Sequence, residues 1–302
     1  MGQYLRQRPN VGEPLGRAII PLILGLSRRA MVYSGAVSHE QSLAGIKIHY
    51  FRRAGRPRSD PTLPVVLIHG IADSALTWAF TLGGLARIGP VYALDLPGFG
   101  QSGYPPGQRF ATIDAQIAVL RALINEVIGH PALLVGNSMG GWIAARLAAQ
   151  TPALVRGIVL LDPGGALLEG HASWTPFADL VAVRDLRAVR TIYRQMFGTV
   201  NPALYLAQLG FQALFQRDAV RHFVESADVA AFCTPAELQQ ITVPTALVWG
   251  ERDTFLPAGS FAFFRDHLPN PQVLLLPGCG HLPQRERPWR LVRFVQAFAR
   301  GL

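Results

Sequence analysis

The sequence predicts an α/β protein, a mostly parallel sheet of about eight strands flanked by helices, with an all-helical insertion late in the chain. Three observations carry that expectation. Short apolar runs bounded by Gly and Pro alternate with helical stretches over most of the 302 residues. Half of the residues are hydrophobic and only 16% are charged, which excludes a disordered chain and supplies apolar surface for a sheet covered on both faces. Between Gly164 and about Gln240 the alternation stops and an aromatic, helical segment replaces it.

The order begins near residue 38. His39 to Leu43 and Ile46 to Phe51 read as two strands joined by Ala44-Gly45, an antiparallel hairpin at a sheet edge. Arg52 to Pro64, rich in Arg, Pro and Gly, reads as a loop. Leu63 to His69 (LPVVLIH) and Val91 to Leu96 (VYALDL) are too short for helices and have the composition of strands buried on both faces, with a helix expected between them around Leu76 to Ile88. Thr112 is placed to cap a helix in which Ile117, Leu120, Ile124 and Ile128 recur at near-helical spacing. Ala132 to Gly136 is strand, Met139 to Gln150 helix, and Gly157 to Asp162 strand again. The insertion carries Trp174, Phe177, Tyr193, Phe197, Tyr205, Phe211, Phe215 and Phe223, and its last helix opens on a capping box, Thr234-Pro235-Ala236-Glu237. Ala246 to Gly250 and Val273 to Leu276 are the last strands. A C-terminal helix then opens on Pro288 and buries Leu291, Phe294, Val295 and Phe298. The expected division is a basic N-terminal arm over 1–37, a core over 38–165 and 241–302, and a helical cap over 166–240.

The formal charge of +9 is unevenly spread. Ten basic and three acidic residues fall in the first 60 positions, a balance of +7, while 18 basic and 16 acidic residues leave the other 242 positions at +2. The body is nearly neutral and shows no aromatic-interleaved basic groove, so no nucleic-acid partner is expected. The charge points instead to a local acidic surface such as anionic lipid. No run approaches the roughly 20 apolar residues of a membrane span. The nearest, Ala18 to Leu26, is interrupted by Pro21 and Gly25 and bounded by Arg17, Arg28 and Arg29. Three readings of it stand. One is a cleaved signal peptide ending near Ser34-Gly35-Ala36, which Arg28 and Arg29 disfavour. The second is an interfacial segment over 17–33 touching an anionic membrane, and the third is an arm packed on the domain or partly disordered. Gly2 lacks the downstream Ser or Thr of a myristoylation site. Cys233 and Cys279 suggest neither a disulfide framework nor a metal site, which fits a reducing compartment. A cytoplasmic location is expected, membrane-associated under the interfacial reading.

Gly136-Asn137-Ser138-Met139-Gly140 matches the G-x-S-x-G nucleophile elbow, with the required buried strand before it and helix after it. Small residues are needed there because larger side chains two positions either side of Ser138 would meet the neighbouring strands. A serine hydroxyl needs a positioned base held by a carboxylate, in the chain order Ser, acid, His. Asp253 after the penultimate strand and His281 after the last fill those places at the carboxyl ends of parallel strands. Asp162 is the rival acid, and Glu251 is read as a loop carboxylate. The remaining histidines, 39, 49, 130, 171, 222 and 267, are read as surface or packing residues. The oxyanion needs two N–H donors. Met139, just after the nucleophile, supplies one, and the loop His69-Gly70-Ile71-Ala72 the other, through Ile71 with Ala72 in reserve. His69 is read as a structural hydrogen-bonding residue.

From residue 38 to 302 the chain resembles the α/β-hydrolase superfamily: LIHG at 67–70, DLPGFGQS at 95–102, GNSMGG at 136–141, GERD at 250–253 and GCGHLPQRERP at 278–288 fall in that family's order and spacing. The surroundings of Ser138, the LLDPGG run at 160–165 and the C-terminal GCGH resemble monoacylglycerol-lipase-like serine esterases, some of them membrane-associated. They are also similar to hydrolases that cleave carbon–carbon bonds in ring-fission products, although those carry Trp after the histidine where this chain has Leu282. Haloalkane dehalogenases and epoxide hydrolases use an aspartate nucleophile, and Ser138 argues against both. The resemblance implies a serine hydrolase that cleaves carboxylic esters, acylglycerol or other apolar acyl esters, through an acyl-enzyme, with no metal or organic cofactor and with the aromatic cap covering the site. Ring-fission-product hydrolysis, or ligand binding without catalysis, is the alternative.

Overall fold

A computed structural model of the chain describes residues 12–56, 63–168, 186–198, 218–225 and 229–302. Strands β1 (Val37–Leu43) and β2 (Ile46–Arg53) form the antiparallel hairpin at one edge. Ala44 and Gly45 both have positive φ, 47° and 75°, the backbone a two-residue hairpin turn needs to match strand twist. Six parallel strands follow: β3 (Val65–Ile68), β4 (Val91–Leu94), β5 (Ala132–Asn137), β6 (Val155–Leu161), β7 (Thr245–Gly250) and β8 (Gln272–Leu276). The sheet runs β1-β2-β4-β3-β5-β6-β7-β8, with β2 antiparallel to β4 and every later pairing parallel.

Alternate residues of the central strands enter two cores. Val66, Ile68, Leu134, Ile158 and Leu160 face one side with α3 (Ile113–Ala122) and α4 (Met139–Gln150). Val65, Leu67, Val135, Val159 and Leu161 face the other, against Trp78, Met31 and the C-terminal helix. Side chains of this size each gain roughly 1.5–3 kcal/mol on burial, so the two-sided cover is the main reason the sheet forms. Thr112 caps α3, its Oγ1 accepting from the Ala115 N–H at 3.2 Å.

The helix expected over Leu76 to Ile88 is instead broken into a 3₁₀ turn, Ala75–Trp78, and one α-turn, α2 (Leu82–Leu85). The two glycines of α2 allow it to pack closely, since a Cβ on Gly84 would lie 2.6 Å from Val292 and one on Gly83 2.7 Å from Arg53. At the N-terminus, α1 (Gly12–Tyr33) runs through Pro21 and docks through Met31, which is fully buried. Among the described residues, no helix is long and apolar enough to cross a membrane.

Between β6 and β7 the described elements are helical: α5 (Leu186–Met196), α6 (Asp218–Glu225), a 3₁₀ turn at Val229–Ala231 and α7 (Pro235–Gln239), which opens on the Thr234/Glu237 capping box. Trp174, Phe177, Tyr205, Phe211 and Phe215 lie outside the described residues. The two ends of the insertion pair with each other, the Cys233 N–H donating to Gly165 and the Leu167 N–H to Cys233. After β7 come α8 (Ser260–His267), α9 (Pro283–Glu286) and α10 (Pro288–Ala299).

Candidate active site

Ser138 stands at the turn where β5 ends and α4 begins, with φ 55° and ψ −118°. That backbone lies outside the regions an L-residue adopts without strain. The turn is feasible because a Cβ on Gly136 would strike the Gly140 carbonyl, and one on Gly140 the Ile68 carbonyl. The Ser138 N–H donates to Leu161 at 3.0 Å and its carbonyl accepts from the Gly164 N–H at 3.0 Å, so β6 and the following loop hold the strained residue. Gly70 brings the loop after β3 against the serine, where an added Cβ would lie 3.0 Å from Ser138 Cβ. His69 shapes that loop. The Leu96 N–H donates to its Nε2 at 3.0 Å, which leaves Nδ1 protonated and donating to the Gly70 carbonyl at 2.7 Å. Complete burial pushes the His69 pKa down, against the nearby Asp73 and Asp95, and favours the neutral ring.

His281 Nδ1 lies 2.8 Å from Asp253 Oδ2, and neither side chain is more than 2% exposed. Asp253 Oδ1 accepts from the Phe255 N–H at 2.9 Å, and the Phe255 ring packs on the imidazole with centroids 4.8 Å apart. Asn137, which the motif reading passed over, ties this pair to the elbow. Its Nδ2 donates to the carbonyls of Leu161 at 3.1 Å and His281 at 3.0 Å, and its Oδ1 accepts from Gln284 at 3.0 Å. Gln284 and Arg285 also donate to Thr77 Oγ1, and Arg285 pairs with Asp73 at 2.7 Å, so the histidine loop is bolted to the segment after β3. No local spacing in the sequence signals these links; each joins residues far apart in the chain.

Asp162 belongs to the same cluster, with ligand atoms of Asp162, Asp253 and His281 all within 4.8 Å of one another. Among the described residues this is the grouping with metal-ligand spacing. The hydrogen-bonding distance between His281 Nδ1 and Asp253 is filled by a proton, which a cation would have to displace. Asp162 is fully buried, and its Oδ1 accepts from the Gly250 N–H at 2.9 Å. Burial first, then the Asp253 charge, hold its carboxyl well above the usual carboxylate range. Glu251 is exposed, and His171 lies outside the described residues. His49 is buried, with Nδ1 2.7 Å from Asp95 and Nε2 2.8 Å from the Ser38 hydroxyl.

An apolar pocket, partly open to solvent, reaches Ser138; Ile71, Met139, Trp142, Phe223, Phe232 and Leu256 are among its walls. Trp142 joins α4 to the insertion, its Nε1 donating to the Ala231 carbonyl at 2.7 Å while its ring packs on Phe232.

The family model described as the alpha/beta hydrolase family matches residues 65–293. The chain belongs to the alpha/beta hydrolase family. This hydrolase is 27% identical over 251 residues to the pimeloyl-[acyl-carrier protein] methyl ester esterase of Nitrosomonas europaea, spanning 77% of this chain and 94% of that one. It is 28% identical over 249 residues to the 2-hydroxy-6-oxononadienedioate/2-hydroxy-6-oxononatrienedioate hydrolase of Cupriavidus pinatubonensis, over 78% and 86% of the two chains. Among solved structures it is similar to a membrane phospholipase A, a bacterial virulence factor, with a TM-score of 0.79, 25% identity and coverage of 95% and 92%.

Proposed function

We propose that this hydrolase is a serine esterase that cleaves apolar carboxylic esters through an acyl-enzyme. The observation that carries the reading is a strained Ser138 opening onto an apolar cavity, with the buried His281–Asp253 pair tied to the same elbow through Asn137. Asp253 accepts the Nδ1 proton of His281, which leaves the Nε2 lone pair to take the proton from Ser138 as its oxygen attacks the ester carbonyl. The oxyanion receives the N–H of Met139, at the positive end of α4, and that of Ile71; both residues line the cavity. His281 then protonates the leaving alcohol and activates water against the acyl-enzyme. The insertion serves as a cap, Phe223 and Phe232 forming walls for an acyl chain.

The second reading, hydrolysis of ring-fission products, draws on the relative from Cupriavidus. A dienedioate carries two carboxylates, yet the described residues around the cavity include no charged side chain to receive them. The test is a panel of p-nitrophenyl esters from acetate to palmitate, run beside a ring-fission product. Ester turnover should fall by at least about 10³-fold in kcat in Ser138→Ala. Equal turnover by wild type and variant would refute the esterase, and turnover of the ring-fission product alone would install the second reading.

We propose further that α1 rests on an anionic membrane surface. Leu22, Leu26, Arg29 and Tyr33 form one exposed stripe along it, flanked by exposed Arg28 and Val32, while Met31 faces the core. Apolar side chains with arginines at their margin suit the boundary between lipid headgroups and acyl chains. Because Met31 is buried, removing the arm would open the core, and substitutions in the full chain are the better test. Leu22→Glu with Leu26→Glu, and separately Arg28→Glu with Arg29→Glu, should each lower binding to phosphatidylserine-containing vesicles at least about tenfold while soluble-ester turnover persists. Unchanged vesicle binding in both would refute the membrane contact.

A further inference from the structure

Two buried carboxyl groups meet behind His281, and the mechanism above uses one. Asp253 Oδ2 contacts His281 Nδ1, and its Oδ1 takes the amides of Phe255 and Leu256. Asp162 Oδ1 takes the amide of Gly250, while its Oδ2, equally buried, meets no donor. Among the described residues, the titratable groups facing Asp162 are Asp253, His281, Glu286 and the Cys279 thiol, none of them a lysine or arginine. Asp162 is also held at φ 41°, a left-handed backbone, with its N–H donated to Val248 at 3.0 Å. Its surroundings therefore fix where the carboxyl points.

We propose that Asp162 carries a proton at neutral pH and donates it from Oδ2 to Asp253, making Asp162 a positioning residue for the Asp253–His281 pair. Two carboxylates this close in a dry site cannot both ionise, and the proton belongs on the one whose charge nothing else stabilises. Asp253 has two amides and the imidazole; Asp162 has one amide. The elevated carboxyl affinity of Asp162 for its proton agrees with this assignment. The extra donor spreads the negative charge of Asp253, so that it still orients His281 but attracts a second proton to the imidazole less strongly.

The inference rests on the esterase reading only for its kinetic arm, and Ser138→Ala tests that reading separately. Asp162→Asn reproduces a neutral carboxyl, with an oxygen for Gly250, an N–H for Asp253 and tolerance of the left-handed backbone. The acid limb of kcat/KM, and the His281 imidazole titration followed by NMR in the resting protein, should stay at the wild-type pH. Asp162→Ala should lose about tenfold in kcat and move that limb upward, because Asp253 loses its donor. A downward move of about one unit or more in Asp162→Asn would show that a negative charge had been removed, and would overturn the proposal. Infrared spectra need no activity. Wild type should show a protonated carboxylic acid band at neutral pH that Asp162→Asn lacks and Glu286→Gln keeps, and absence of that band in wild type would overturn the proposal even if the variant failed to fold.

Discussion

Asp95 shows how much a single side chain organises away from the candidate chemistry. Its Oδ2 accepts from His49 at 2.7 Å and from the Gln101 N–H at 2.9 Å, and its Oδ1 from the Ala75 N–H at 2.7 Å. It joins the edge hairpin, the loop after β4 and the turn at Ala75, and Gly100 leaves the space its carboxyl fills. Burial, the largest single influence, pushes its pKa up, yet the His49 hydrogen bond and the amides together bring it below the ordinary value. A depressed carboxylate pKa stabilises the fold above the unfolded pKa, and that contribution is lost as pH falls through the folded one. Asp95→Ala should lower the urea-unfolding free energy by about 3–5 kcal/mol at pH 7. The gap to wild type should narrow below about pH 4. The DLPGFGQS run holds this residue in plain view, but a run of letters does not show which amides turn back onto it.

At the scale of elements, what the sequence shows well is what periodicity encodes. The buried strands and the helix after Ser138 follow their apolar runs to within a residue or two. The exceptions have local causes. Helix α8 begins on Gly259 at φ 93° with no side-chain cap, so the usual N-terminal signal is missing from Ser260–His267. The stretch at 75–85 reads as helical in its apolar spacing, but Gly83 and Gly84, poor helix formers, sit in its second half, where only one turn forms. Helix α1 passes Pro21, the residue that reads as an interruption in the sequence, and is anchored further on by Met31.

Across the whole molecule, the end of α5 and the histidine loop are tied together by hydrogen bonds. The His281 N–H donates to Met196 at the end of α5 at 2.7 Å, and Arg252 reaches the Gly198 carbonyl at 2.9 Å. Glu286 clamps both sides, taking the Gly280 N–H on one oxygen at 2.9 Å and the Gly198 N–H on the other at 3.0 Å. Gly198 and Gly280 approach so closely that a Cβ on Gly198 would sit 2.5 Å from the Gly278 carbonyl. The end of α5 seated this way positions the histidine loop. Glu286→Ala leaves two amides without their acceptor, and stability should fall by about 1–3 kcal/mol by urea unfolding. Steady-state ester kinetics should show kcat lower on the order of tenfold with a smaller change in KM, because Glu286 holds the His281 loop and does not line the pocket.

The sequence by itself determined the layered sheet, the elbow at Ser138 and the order in which a serine, an acid and a histidine reach the carboxyl ends of their strands. These are local or periodic properties, written in apolar runs and in the glycines at 136 and 140. Only the tertiary structure decided how Asp253 and Asp162 relate to His281. Both end neighbouring parallel strands and look alike as letters. The register of β6 against β7 and the loop that turns Asp253 toward the imidazole put one carboxyl on Nδ1 and the other behind it. Such distances depend on how separate segments pack, so no spacing along one segment can encode them.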